Sequence, residues 1–428
     1  QHLAFPASWV KNGNLDTPFQ IFGSCPIVHP GGFETSTGSY YPINAQLFFT
    51  WLMLPLNNSF LADVGEAPFY IIGIIAIYSI LTKYNVNKKT ALLSGLLWVL
   101  IPNIFKQLKT ASQIDVICAV LFLLVFYALL LLKHSFTFRN AILFGISVGL
   151  FAGTKVTNLI WLAALMPVIC YIVYRGIKTN KLAFSKVLSF SGAVISMVIL
   201  FGGFIYIKNY FFIGNPLFPV DLKIFGQTIF KGLLDNVAYK IKMAPGDGFN
   251  FMRIAFKEGL GGQFLTLILP ATFIPIFFYR YLKAKVYPLG EYLVLFFFFL
   301  VMVILYNFFI NVYVVRYMFP YLPFGLLTAV IFITNLPRGD KYFVFISFIS
   351  IFLLIFELAH GYELIVSILL SLVFFTCLVI YKEKAVVFYR SKKFRKLVLI
   401  ALILVSLFLI YSNGKYDREE FDRYPLSF

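Results

Sequence analysis

Between Arg139 and Arg175 the chain runs for 35 residues with a single charge, Lys155. As one helix this stretch would be about 52 Å long, against a bilayer hydrocarbon core of about 30 Å. The sequence therefore predicts two shorter helices joined by a turn at residues 155–158. That turn lies at the face opposite both arginines, so Lys155 is expected near an interface and not in mid-bilayer.

The same pattern repeats along the chain. Apolar spans are expected at 60–82, 91–104, 113–132, 141–154, 158–174 and 187–207, then at 263–279, 289–309, 317–335, 342–357, 364–381 and 397–411. With 60% hydrophobic and 13% charged residues, no water-soluble surface could be assembled from this chain. The expected fold is an all-α polytopic membrane bundle of about twelve transmembrane helices.

Charge gives the sidedness. The connections "KYNVNKK", "KHSFTFR", "RGIKTNKLAFSK", "RYLKAK", "RGDK" and "KEKAVVFYRSKKFRK" hold 21 of the 36 basic residues. With Glu291 they hold only three of the 18 acids. By the positive-inside rule this face is cytoplasmic. The opposite face carries 15 basic and 15 acidic residues, so the net charge of +18 is a matter of topology and calls for no nucleic-acid partner. The four cysteines, Cys25, Cys118, Cys170 and Cys377, are too scattered for a disulfide framework or a CxxC metal site.

Five segments are expected: an external loop with a short juxtamembrane helix (1–59), a membrane bundle (60–207), an external amphipathic insert (208–262), a second bundle (263–411) and an external acidic tail (412–428). Within the insert Ile224, Phe225, Ile229, Phe230, Leu233, Leu234, Val237 and Ile241 fall on one helical face, as in a helix lying on a membrane surface. The opening "QHLAFPASWV" is read as a truncated start with a membrane helix upstream. Ionisable residues Asp63, Glu66, Asp115, Lys155, Lys208, Arg316, Glu357 and Glu363 cluster toward the outer ends of the spans. An ion relay would need them at the midplane.

The stretches "HLAFPASWVKNGNL", "YYPINAQLFFTWLMLP", "ASQIDVICAVLFLL", "GISVGLFAGTKVTNLI", "YIKNYFFIGNPLFP" and "RYMFPYLPF", in that order, resemble GT-C membrane glycosyltransferases, bacterial relatives of the dolichyl-phosphate-mannose-dependent mannosyltransferases. The resemblance covers residues 1 to about 325. It implies transfer of a sugar from a polyprenyl-phosphate-linked donor to an acceptor hydroxyl on a glycan, lipid or protein, with inversion, at the periplasmic or exterior face of a bacterial cytoplasmic membrane. Surrounding membrane lipids are the other expected partner. The base it implies is an acidic residue placed before Gln1.

Under the same resemblance Lys155, Lys208, Arg316 and Tyr317 are expected to hold the donor phosphate. His2, Asp115, Asn209 and Glu34 are expected to line the site. Each has a second reading. Lys155 and Lys208 would equally serve as interfacial anchors, Arg316–Tyr317 as a headgroup-level cation and aromatic, and Asp115 as a helix N-terminal charge. A divalent metal ion is an open cofactor, with His29 and Glu34 as a weak ligand set against a solvated-loop reading. Two other functions remain open: a flippase or transporter of lipid-linked saccharides, and a non-catalytic scaffold.

Overall fold

A computed structural model describes residues 3–15, 26–28, 34–36, 40–108, 113–179, 182–224, 227–232, 260–271, 301, 302, 304, 315–336 and 338–360. The chain forms two compact units, Gln1–Ser350 and Ile351–Phe428. The second is described only through His360, the end of a helix.

The chain is mostly helical. The N-terminal helix α1 (Ala4–Asn12) closes on Gly13, which takes the left-handed conformation that glycine adopts without steric cost. A small hairpin of β1 (Pro26–Val28) and β2 (Glu34–Ser36) follows, then α2 (Asn44–Met53) and the short α3 (Phe60–Asp63). The bundle proper consists of α4 (Ala67–Lys83), α5 (Lys88–Val99), α6 (Pro102–Gln107), α7 (Asp115–His134), α8 (Phe138–Ala152), α9 (Asn158–Lys178) and α10 (Phe184–Gly202). Beyond it lie α11 (Phe204–Ile213), the hairpin of β3 (Leu222–Ile224) and β4 (Gln227–Phe230), a π-helical segment at Phe264–Ile268, α12 (Tyr321–Thr334) and α13 (Gly339–His360).

Local chemistry sets several boundaries. Asn87 accepts a hydrogen bond from the Lys89 amide and Thr137 one from the Asn140 amide, which caps the starts of α5 and α8. Proline stands in the first turn of α4 and opens α6, where its missing N–H is harmless.

Among the described residues four stretches are long and apolar enough to cross a bilayer: Phe60–Lys83, Asp115–His134, Asn158–Lys178 and Phe184–Gly202. Helices α8 and α12 are apolar but shorter. The expected twelve spans are therefore not reproduced among the described residues. The 91–104 span is broken, because Ile101 is extended ahead of Pro102 and the chain restarts as α6. Proline disfavours a helical residue before it and cannot donate to the preceding turn. The 187–207 span divides at Gly203 between α10 and α11. The expected spans 364–381 and 397–411 lie outside the described residues, as do 272–279 of the 263–279 span and all of 289–309 except 301, 302 and 304.

The expected surface helix in the insert is also corrected. Leu222–Ile224 and Gln227–Phe230 pair as antiparallel strands, with Leu222 opposite Phe230 and Ile224 opposite Gln227. "LKIFGQTIF" carries β-branched residues around a central glycine, which favours extended chain over helix. Phe225 and residues 233–241 of that expected helix lie outside the described residues.

Short connections make the bundle run up and down, so α4 starts, α5 ends, α7 starts, α8 ends, α9 starts and α10 ends at one end. Lys83, Lys88, Lys89, Lys133, Arg139, Arg175, Lys178 and Lys186 all fall at the other. Thr90 donates to Asp340 Oδ1 at 2.8 Å, which puts the start of α13 at this basic end too. Helix α7 is central: 78% of its apolar window is buried, against 0% for α10. Its Phe122 stacks on Phe151 of α8 at 4.8 Å between centroids, and Phe324 of α12 packs on Phe122 and Phe126, both at 5.1 Å.

Helix α10 packs on α8 along Gly145, Gly149 and Gly153, one residue type repeated every fourth position. A Cβ on Gly149 would lie 3.0 Å from the Met197 carbonyl oxygen, and one on Gly202 would collide with Gly149 oxygen. Such small-residue stripes let two backbones touch.

Candidate functional site

The end of the bundle opposite the basic residues carries the polar chemistry, and it is built around the 153–157 turn. A helix that ends here leaves its last carbonyls without intrahelical partners, and a buried carbonyl left unpaired is costly. Each has a substitute. Leu150 oxygen accepts from Thr154 Oγ1 at 2.7 Å, and Phe151 oxygen accepts from Asn158 Nδ2 at 2.7 Å. Ala152 oxygen accepts from the Tyr206 hydroxyl at 2.8 Å, and Gly153 oxygen from the Asn44 backbone amide at 2.9 Å. Asn44 also donates through Nδ2 to Phe201 oxygen at 2.7 Å. The start of α9, which follows the turn, and two elements distant in sequence, α2 and α11, thus hold the turn in one conformation.

Lys155 projects from this braced turn toward the first residue of α7. Its Nζ lies 2.5 Å from Asp115 Oδ1, a short charge-assisted contact. Asp115 is 3% exposed and Lys155 19%, so the pair sits largely out of water. The same ammonium lies 4.1 Å from the centroid of the Tyr317 ring, within cation–π range. Arg316, on the 3₁₀ turn Val315–Met318 that precedes α12, has its guanidinium carbon 5.7 Å from the same ring and is exposed.

Asp115, Lys155, Tyr317 and Arg316 therefore form one cluster, drawn from α7, the α8–α9 turn and the approach to α12. Its formal charge is +1, since Asp115 compensates Lys155 and leaves Arg316 without a carboxylate partner among the described residues. That arrangement suits an anion: one fixed, compensated ammonium beside an aromatic face, and one outward guanidinium with donors to spare.

Of the residues expected from sequence, the structure brings together Lys155, Arg316, Tyr317 and Asp115. Asn209 is placed differently: it is buried, and its Nδ2 donates to Tyr40 oxygen at 2.9 Å and Phe218 oxygen at 3.2 Å. It braces α11 against the segment that precedes α2, at Tyr40, instead of lining an open site. Lys208, its neighbour, faces a groove with Phe204, Ile207, Phe211 and Phe212, and no described contact joins it to the cluster. His2 and His29 lie outside the described residues. Glu34 belongs to β2, paired with Val28, and its side chain is likewise outside them. Among the described residues no group of three His, Cys, Asp or Glu converges as a metal site.

Sequence reading missed the bracing residues Asn44, Asn158 and Tyr206. The carbonyls that Asn44 braces lie 106 residues or more away and the one Tyr206 braces lies 54 away, so nothing local marks them, whereas the Asn158 partner Phe151 is only seven residues away.

In comparisons with known proteins no family model matches this chain, and neither a curated protein nor a solved structure is similar to it.

Proposed function

We propose that this chain is a membrane glycosyltransferase of the GT-C type. It moves a sugar from a polyprenyl-phosphate carrier to an acceptor hydroxyl, with inversion, on the non-cytoplasmic face of a bacterial cytoplasmic membrane. The observation that supports this reading is the cluster of Lys155, Asp115, Tyr317 and Arg316 at the end of the bundle away from the basic residues.

In this reaction the acceptor oxygen attacks the anomeric carbon while the bond from that carbon to the phosphate oxygen breaks. Negative charge grows on the departing phosphate, so cations fixed before the reaction favour the transition state. Arg316 offers a planar fork of donors for two phosphate oxygens. Lys155 is held by Asp115 and Tyr317, so little reorganisation is needed when the charge develops. Asp115 is engaged with Lys155 and is not assigned the role of base. A separate carboxylate takes the acceptor proton.

The test is release of polyprenyl phosphate from polyprenyl-phosphate-linked sugars by the full chain in lipid nanodiscs, with membrane-extract glycans, lipids and proteins as acceptors. Arg316→Gln and Lys155→Met are each expected to lower kcat/KM for the donor at least tenfold. Absence of release with every donor, or undiminished release by both variants, would overturn the proposal. Movement of intact donor across the bilayer without cleavage would do the same and favour a carrier.

A further inference from the structure

Helix α11 begins where candidate span α10 ends, and its two faces differ. The inner face is tied down: Ile205 and Asn209 are buried, Asn209 braces two carbonyls, and Tyr206 caps the end of α8. Phe204, Ile207, Lys208, Phe211 and Phe212 recur at the three- and four-residue spacing of a single helical face. Together they line an open groove of about 410 Å³.

Phe204 is 65% exposed, Phe211 79% and Phe212 80%, a large apolar area for any surface that meets water. Helix α11 follows directly on α10, whose Leu188, Ile195, Ile199 and Leu200 are exposed along a helix long and apolar enough to span a bilayer. Lys208 lines this groove through its alkyl stem, is half-buried and makes no ion pair with any described residue. Aromatic rings and a lysine at the end of a span are the residue types that sit at headgroup depth.

We propose that this groove is a binding site for an anionic glycerophospholipid, separate from the Lys155 cluster. One acyl chain runs along Phe204 and Ile207 toward α10, and the phosphate meets the Lys208 ammonium at the rim of the groove. One cation faces one phosphodiester, so the charges match without any residue from elsewhere. Lys208 is thereby assigned to a resident membrane lipid and not to a sugar donor. The site goes beyond sugar transfer and stands whether or not the chain transfers sugar.

The experiment is native mass spectrometry of the delipidated full chain, titrated with phosphatidylglycerol or phosphatidylcholine. One phosphatidylglycerol is expected to be retained preferentially. Lys208→Gln should lower its retention about five-fold, the scale of one basic residue at an anionic surface. Lys208→Arg should preserve it. Phe211→Ala combined with Phe212→Ala should lower it while elution volume and helical circular dichroism stay as in the unsubstituted chain.

Equal retention of the two lipids, or no effect of Lys208→Gln in a folded variant, would overturn the site. So would displacement of the lipid by millimolar inorganic phosphate, which would mark a headgroup-only contact. A change in oligomeric state on Lys208→Gln with lipid retention intact would overturn it in favour of a second copy of the chain.

Discussion

Lys155 is the residue on which the candidate site turns, and its environment decides between an anchor and a structural charge. A snorkelling lysine reaches for water. This one turns to Asp115 at 2.5 Å and to the face of Tyr317. Removing either charge of a largely buried pair strands the other, at a cost of about 3 kcal/mol or more. Lys155→Met and Asp115→Leu should each lower the thermal midpoint in detergent, and the double variant should lose much less than the sum. Strictly additive shifts would show that the two groups do not depend on each other. For Tyr317, phenylalanine should keep the ring contact while leucine loses it, at about 1 kcal/mol. The turn that presents Lys155 was legible from the 35-residue apolar run. Its partner was not, because Asp115 lies 40 residues away and nothing local specifies which helix start the amine will meet.

Helices α8 and α10 show what an element needs in order to dock without burying large side chains. The glycines at 145, 149 and 153 bring the α10 backbone against α8, and Gly202 completes the contact near its end. Gly149→Leu would force the Met197 carbonyl and the Phe201 side chain apart, an overpacking cost of about 1–3 kcal/mol. Gly192, on the exposed side of α10, faces open space, and a Cβ there would meet nothing within 4 Å. Gly192→Leu should therefore leave the thermal midpoint unchanged or raise it slightly, since leucine is the better helix former. Equal destabilisation by both substitutions would refute the close α8–α10 contact. The four-residue glycine spacing was visible in the sequence as a pattern, whereas its partner helix was not. At α5–α6 the reverse held: Pro102 was visible, but the strength of the apolar signal from 91 to 104 masked the break it causes.

For the whole molecule, the arrangement that matters is the separation of a basic end from an end bearing the candidate cluster. With native cysteines replaced, a single cysteine at Ser135 should resist a membrane-impermeant thiol reagent in intact cells and react after permeabilisation. A cysteine at Val156 should react in intact cells. Labelling of both from the same side would remove the sidedness on which the proposed chemistry depends. The sequence by itself determined that the chain is helical and apolar, that charge sorts to one set of connections, and that Lys155 and Asp115 fall at helix ends. Those properties follow from composition, from the length of a helix relative to a bilayer, and from residue spacing, all of which are local. Only the tertiary structure decided that Lys155 meets Asp115 and Tyr317, that Arg316 stays outward, that Asn209 turns inward and that Lys208 lies on the opposite face. These depend on how each helix is rotated about its own axis, and that rotation is set by packing between residues far apart in the chain.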